Sequence, residues 1–170
     1  ATKSFNKDIS NWKVDSVTNM EGMFSNAASF DQDIGSWNVG NVTDMSGMFA
    51  GANSFVRESR SWDVSNVTDM SDMFYMNFTF NQDLSTWDVH NVKDMSKMFF
   101  EASNFNQHIG TWDVSGVTTM EKMFYHAESF NGDIGAWNVS NVNNMNGMFA
   151  GDTAFNQEIG NWDVSKVVNM

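Results

Sequence analysis

The apolar positions of this chain recur at a fixed spacing. Phe stands at 5, 30, 55, 80, 105, 130 and 155, and Trp follows seven residues later each time, from Trp12 to Trp162. Val14 and Val17 recur to Val164 and Val167, Met20 recurs to Met170, and the pair Met23-Phe24 recurs to Met148-Phe149. Polar residues fill most positions between them. The unit reads F-N-Q-D-I-G-x-W-D-V-S-N-V-T-D-M-S-x-M-F-x-x-A-x-x, and from Phe5 to Met170 it gives six full copies and most of a seventh without insertion or deletion. A 25-residue unit with about nine apolar side chains cannot enclose a core alone, whereas stacked units bury one another's faces.

Within the unit, Trp12-x-Val14 alternates with period two, which predicts a short strand paired in parallel with its copies about 4.8 Å away. Val17, Met20, Met23, Phe24 and Ala27 follow a helical stripe. Asn41, Asn66 and Asn91 are suited to cap that helix, and Gly51 and Gly151 fall near its end. The expectation is an α/β repeat solenoid with one short parallel β-strand and one short α- or 3₁₀-helix per coil. About seven such coils form a single repeat domain over 1–170, read as part of a longer array without evident caps. Uncapped ends predict end-to-end self-association. A parallel β-helix is the alternative architecture. Propeller blades of about 40 residues are too long for this unit.

The run V-T-D-M-S-x-M-F-x-x-A-x-x-F-N-Q-D-I-x-x-W-D-V-S-N resembles the BspA-like leucine-rich-repeat surface proteins. It is most similar to their 25-residue variant, found in mycoplasma-type lipoproteins and other microbial surface proteins. The resemblance covers residues 5 to 170. It implies a leucine-rich-repeat-like solenoid, at the cell surface or secreted, that serves adhesion or recognition of a host or neighbouring-cell protein or glycan. It brings no catalytic or cofactor residues with it. Leu84 is the only leucine here, and Trp, Met, Phe and Val occupy the apolar positions.

Composition narrows the partners. The formal net charge is -12 and the sequence pI is near 4.3. A nucleic acid would need a basic face to release counterions, so it is disfavoured, as is an anionic membrane surface. No apolar run approaches the roughly 18 residues of a membrane span. Without cysteine there is neither a disulfide framework nor a thiol nucleophile.

Stacking would place equivalent residues in rows. The Met rows are read as core filler, since thioethers suit irregular gaps. One acidic row holds Asp8, Asp33, Glu58, Asp83, Asp133 and Glu158, and another Asp63, Asp88, Asp113 and Asp163. Like charges about 4.8 Å apart repel by roughly 0.9 kcal/mol in bulk water. Structural Ca²⁺ could relieve that repulsion, and carboxylates capping turns are the commoner arrangement. No cofactor is expected. His90, His108 and His126 occupy three phases of the unit, and no serine lies in a G-x-S-x-G elbow, so catalysis is not expected.

Departures from the unit single out two groups. In the third copy F-N-Q-D-I-G becomes Phe55-Val56-Arg57-Glu58-Ser59-Arg60, which makes Arg57, Glu58 and Arg60 a candidate polar contact or a locally repacked coil. The same arginines invite comparison with acid-rich polysaccharide-acting β-helix enzymes. After each Met-Phe pair the next residue runs Ser25, Ala50, Tyr75, Phe100, Tyr125, Ala150. If exposed, Tyr75, Phe100 and Tyr125 form a ligand-binding row; otherwise they cover a groove. A passive stalk would show uniform surfaces instead.

Overall fold

The computed structural model describes residues 2–170. Successive 25-residue units stack by translation, so residues one period apart are spatial neighbours. Isolated parallel bridges join Asn19, Asp44, Asp69, Asp94, Thr119, Asn144 and Asn169 in one continuous row. Among the described residues there is no helix and no strand longer than these bridges. This overturns the strand-and-helix coil, and with it the leucine-rich-repeat-like α/β description and the β-helix alternative.

The backbone hydrogen bonds show what replaces the helix. Met45, Gly47, Phe49 and Gly51 donate N–H to Asp69, Ser71, Met73 and Tyr75 of the next coil at 2.8–3.0 Å. Between them, Met48, Ala50 and Ala52 donate to Met45, Gly47 and Phe49, three residues back, at 3.1–3.2 Å. Ser46 N–H goes to Asp44 Oδ1 at 2.9 Å. Every N–H from 45 to 52 therefore has a partner, with tight turns and inter-coil bonds alternating. An α-helix would send each N–H four residues back, and this segment sends none there.

Such a path needs left-handed residues, and two fall in each coil. One row is Gly22, Gly47, Asp72, Lys97, Lys122 and Gly147; the other is Asn26, Gly51, Met76, Glu101, His126 and Gly151, all with φ between 51° and 77°. The three-residue spacings of Met20 to Met23 and of Phe24 to Ala27 thus arise from overlapping turns. Gly51 and Gly151 are left-handed turn residues rather than helix caps. The expected caps act elsewhere: Asn41, Asn66 and Asn91 donate Nδ2–H to Asp15, Gly40 and Ser65 carbonyls of the preceding coil at 2.7–2.8 Å.

The core is a set of apolar ladders. Phe24, Phe49, Phe74, Phe99, Phe124 and Phe149 stack at 5.6–5.8 Å between ring centroids. Each also packs on the Phe that opens the next copy, as Phe24 does on Phe30 at 3.9 Å. Such pairs contribute about 0.5–1.5 kcal/mol each beyond area burial. The inner Trp residues are buried, and each indole N–H donates to the preceding coil, as Trp87 does to Ser59 O at 3.0 Å. Trp12, at one end of the stack, is 53% exposed. On the outside, Asn6, Asn81, Asn106 and Asn131 each accept, through Oδ1, the N–H one period on at 2.9 Å. Absence of proline suits a chain that commits so many N–H groups to neighbouring coils.

Candidate functional site

Coils flanking the centre of the stack have bare left-handed positions. Gly47, Ala50 and Gly51 occupy one such coil, and Gly147, Ala150 and Gly151 another. The three central coils instead carry Asp72-Tyr75-Met76, Lys97-Phe100-Glu101 and Lys122-Tyr125-His126 at the same phases. A residue with a Cβ in this conformation costs about 1 kcal/mol relative to glycine. Among the described residues seven bear that strain: six lie beside the aromatic row, and the seventh is Asn26 of the first coil.

The row itself is continuous. Tyr75 and Phe100 stack at 4.7 Å, and Phe100 and Tyr125 at 4.6 Å, with planes within 16° of parallel. All three rings are half-buried. Their inner faces cover one another, so their edges meet solvent. His126 packs edge-on against Tyr125 at 4.6 Å, and its ring occupies the space that a Gly151 side chain would need. Beyond it lies a shallow cleft lined by Phe78, Glu101, Ser103, His126 and Glu128, with Phe78 40% exposed. A second cleft, in the first three coils, is lined by Gly22, Ser25, Gly47 and Asp72 among others. Burial of the Asp72 carboxyl raises its pKa, with Asp94 and Asp69 adding to the rise and Lys97 opposing it.

The Arg57, Glu58 and Arg60 group lies on a different side of the coil, in an open cleft with Asp33, Ser36, Ser61 and Thr86. Arg57 is tied down. Its Nη2 meets Asp31 Oδ2 at 2.8 Å and its Nε donates to Asp31 O at 3.2 Å. In other coils a Gln reaches back in the same way to an Asn, as Gln107 does to Asn81 at 2.9 Å. Asp31 and Arg57 are therefore a charged version of a repeated Asn–Gln contact. Arg60 Nη1 lies 3.7 Å from Asp83 Oδ2. Ser59 is buried in the Ile row, and its Oγ has no hydrogen-bond partner.

The acidic rows cap turns. Asp63 Oδ1 accepts both the N–H and the hydroxyl of Ser65, at 3.1 and 2.6 Å. Hydrogen bonds from the serine two residues on lower the pKa of Asp8, Asp63, Asp83, Asp113 and Asp163. Among the described residues no group of three or more His, Asp or Glu side chains is placed to hold a metal ion. His90, His108 and His126 do not form a row; His90 Nδ1 pairs with Asp88 Oδ1 at 2.8 Å.

Spacing alone missed the left-handed rows. Their signal was the recurrence of glycine at two phases, at 22, 47 and 147 and at 51 and 151. Comparison with known families adds one match. The family described as "Mycoplasma protein of unknown function, DUF285" matches residues 1–85 and again 70–170, which together span the whole chain. The chain belongs to that family. No curated protein and no solved structure matches it.

Proposed function

We propose that this DUF285 member is a non-enzymatic recognition module, displayed at a cell surface or secreted. In this reading Tyr75, Phe100 and Tyr125 contact its partner. The observation that carries the reading is that stacked aromatics coincide with pairs of strained, side-chain-bearing left-handed residues in the same three coils, Asn26 being the one such residue elsewhere among the described residues. A uniform stalk has no use for that local strain, whereas a contact face uses the side chains it displays. The repeat's resemblance to BspA-like surface proteins supports the location. A host or neighbouring-cell protein or glycan is the class of partner it suggests.

The test replaces Tyr75, Phe100 and Tyr125 together with Ala, the residue that coils at Ala50 and Ala150 already accommodate. Loss of the half-buried rings should cost about 1 kcal/mol each while cooperative unfolding survives. Binding to glycan arrays and to immobilised cell-surface proteins should fall at least tenfold, in line with the weight aromatic contacts carry. Binding equal to that of the unaltered chain would refute the reading, and collapse of the fold would reassign the rings to the core.

A further inference from the structure

We infer that the partner engaged by the aromatic row is a second copy of this chain, docked coil against coil with a twofold axis parallel to the stack. The inference rests on the reading of that row as a contact face. Its basis is the charge on the two flanks. Lys97 and Lys122 precede the rings in their coils, while Glu101 and Glu128 follow them and line the cleft with exposed Phe78. The phase of Lys97 and Lys122 continues into Asp72, Gly47 and Gly22, which line a cleft in the first three coils that shares no residue with the one at Glu101 and Glu128.

A twofold axis along the stack sets each coil opposite the same coil of the other copy and exchanges the flanks. Lys97 then faces Glu101 of the other copy, Lys122 faces Glu128, and symmetry makes each pair twice. Phe100 meets its own counterpart at the centre. With the axis across the stack, Lys122 would face Asp72, but Lys97 would face Lys97 and Glu101 would face Glu101, and those like charges oppose that arrangement at its centre. Self-complementarity of this kind is what an isologous interface requires, and an unrelated partner would have no need of it. Elsewhere two chains of net charge -12 repel, so the contact belongs where lysines offset the acidic excess.

Sedimentation equilibrium of the 170-residue chain from micromolar to millimolar, in about 0.15 M salt, should show a reversible monomer–dimer equilibrium. Lys97→Glu alone and Glu101→Lys alone should each weaken the dimer about tenfold or more, since each change breaks both symmetry-related pairs. The double variant K97E/E101K should restore it, because opposite charges again face each other and because recovery shows that neither change unfolds the chain. A monomer at every concentration would overturn the inference, as would charge reversals without effect or an open-ended series of larger species. If the chain is monomeric yet still binds glycan or protein through Tyr75, Phe100 and Tyr125, the self-association falls and the contact face stands.

Discussion

Ser59 occupies a core position that Ile9, Ile34, Leu84, Ile109 and Ile134 fill in other coils, and it is only 1% exposed with its hydroxyl unpaired. Ser59→Ala removes an unsatisfied buried hydroxyl, and such a group costs about 1–3 kcal/mol. We take the lower end, a gain of about 1 kcal/mol, because the serine hydroxyl is small and can rotate. Ser59→Ile goes further. It adds three carbons relative to Ala, worth about 0.8 kcal/mol each when buried, for a total near 3 kcal/mol. The backbone around Ser59 keeps the geometry of the isoleucine coils: Trp62 N–H reaches Ser59 O at 3.0 Å, as Trp37 N–H reaches Ile34 O at 3.1 Å. Trp87 Nε1–H also reaches Ser59 O at 3.0 Å, the distance Trp112 keeps to Leu84 O. An isoleucine therefore enters a frame already shaped for it. At about 2–4 °C per kcal/mol for a chain of this size, thermal unfolding by circular dichroism should rise by about 2–4 °C for Ser59→Ala and by about 6–12 °C for Ser59→Ile. Scans that give equal or lower transitions for both variants would refute the reasoning, since they would mean that the hydroxyl is satisfied and the site is already full.

Two further perturbations follow from the coil geometry. Lys97→Gly should stabilise by about 0.5–1 kcal/mol through relief of left-handed strain, and Gly47→Ala, whose added Cβ meets nothing closer than 4.0 Å, should destabilise by about 1 kcal/mol through strain alone; chemical denaturation that reverses these signs would reject the left-handed assignment. Asp152 has a raised pKa because it is buried, and its Oδ2 has no partner while Oδ1 accepts from Ala154 and Phe155. Because the folded value lies above the unfolded one, the ionised group destabilises the fold above the folded pKa, and that penalty disappears as pH falls through it toward about 3.8. Asp152→Asn should therefore stabilise at neutral pH, with a gain that shrinks on acidification. Its amide can donate to coil carbonyls as Asn77, at the same phase, donates to Ala52 O at 3.2 Å. A gain independent of pH would contradict the assignment.

The period of the chain was legible because Phe5, Trp12 and their copies never change phase, and the stacked rings lie where that phase puts them. The conformation of the Met-Phe segment was not. Turns that close every three residues place Met20, Met23 and Ala27 on one side just as a helix would, so burial alone cannot tell them apart. Positive φ separates the two, and its residue signal was diluted. Asp72, Met76, Lys97, Glu101, Lys122 and His126 hold left-handed positions that glycine marks only in other coils. Asp31 explains why Arg57 looked like a surface contact. Each departs from the repeat on its own, and only their placement in adjacent coils shows that they substitute together for an Asn–Gln pair. The Asn41 row likewise suited a cap in sequence and proved to bind the coil before it.

The central claim is that each coil is built from overlapping turns with two left-handed residues, bonded to its neighbours at alternate N–H groups. Through-hydrogen-bond NMR couplings in the Met45–Ala52 segment test it most directly. The structure predicts couplings from the N–H of Gly47 to the carbonyl of Ser71 and from Phe49 to Met73, from Ala50 back to Gly47, and positive φ at Gly47 and Gly51. Couplings from Ala50 to Ser46 and from Gly51 to Gly47, with negative φ throughout, would show a helix and contradict the account.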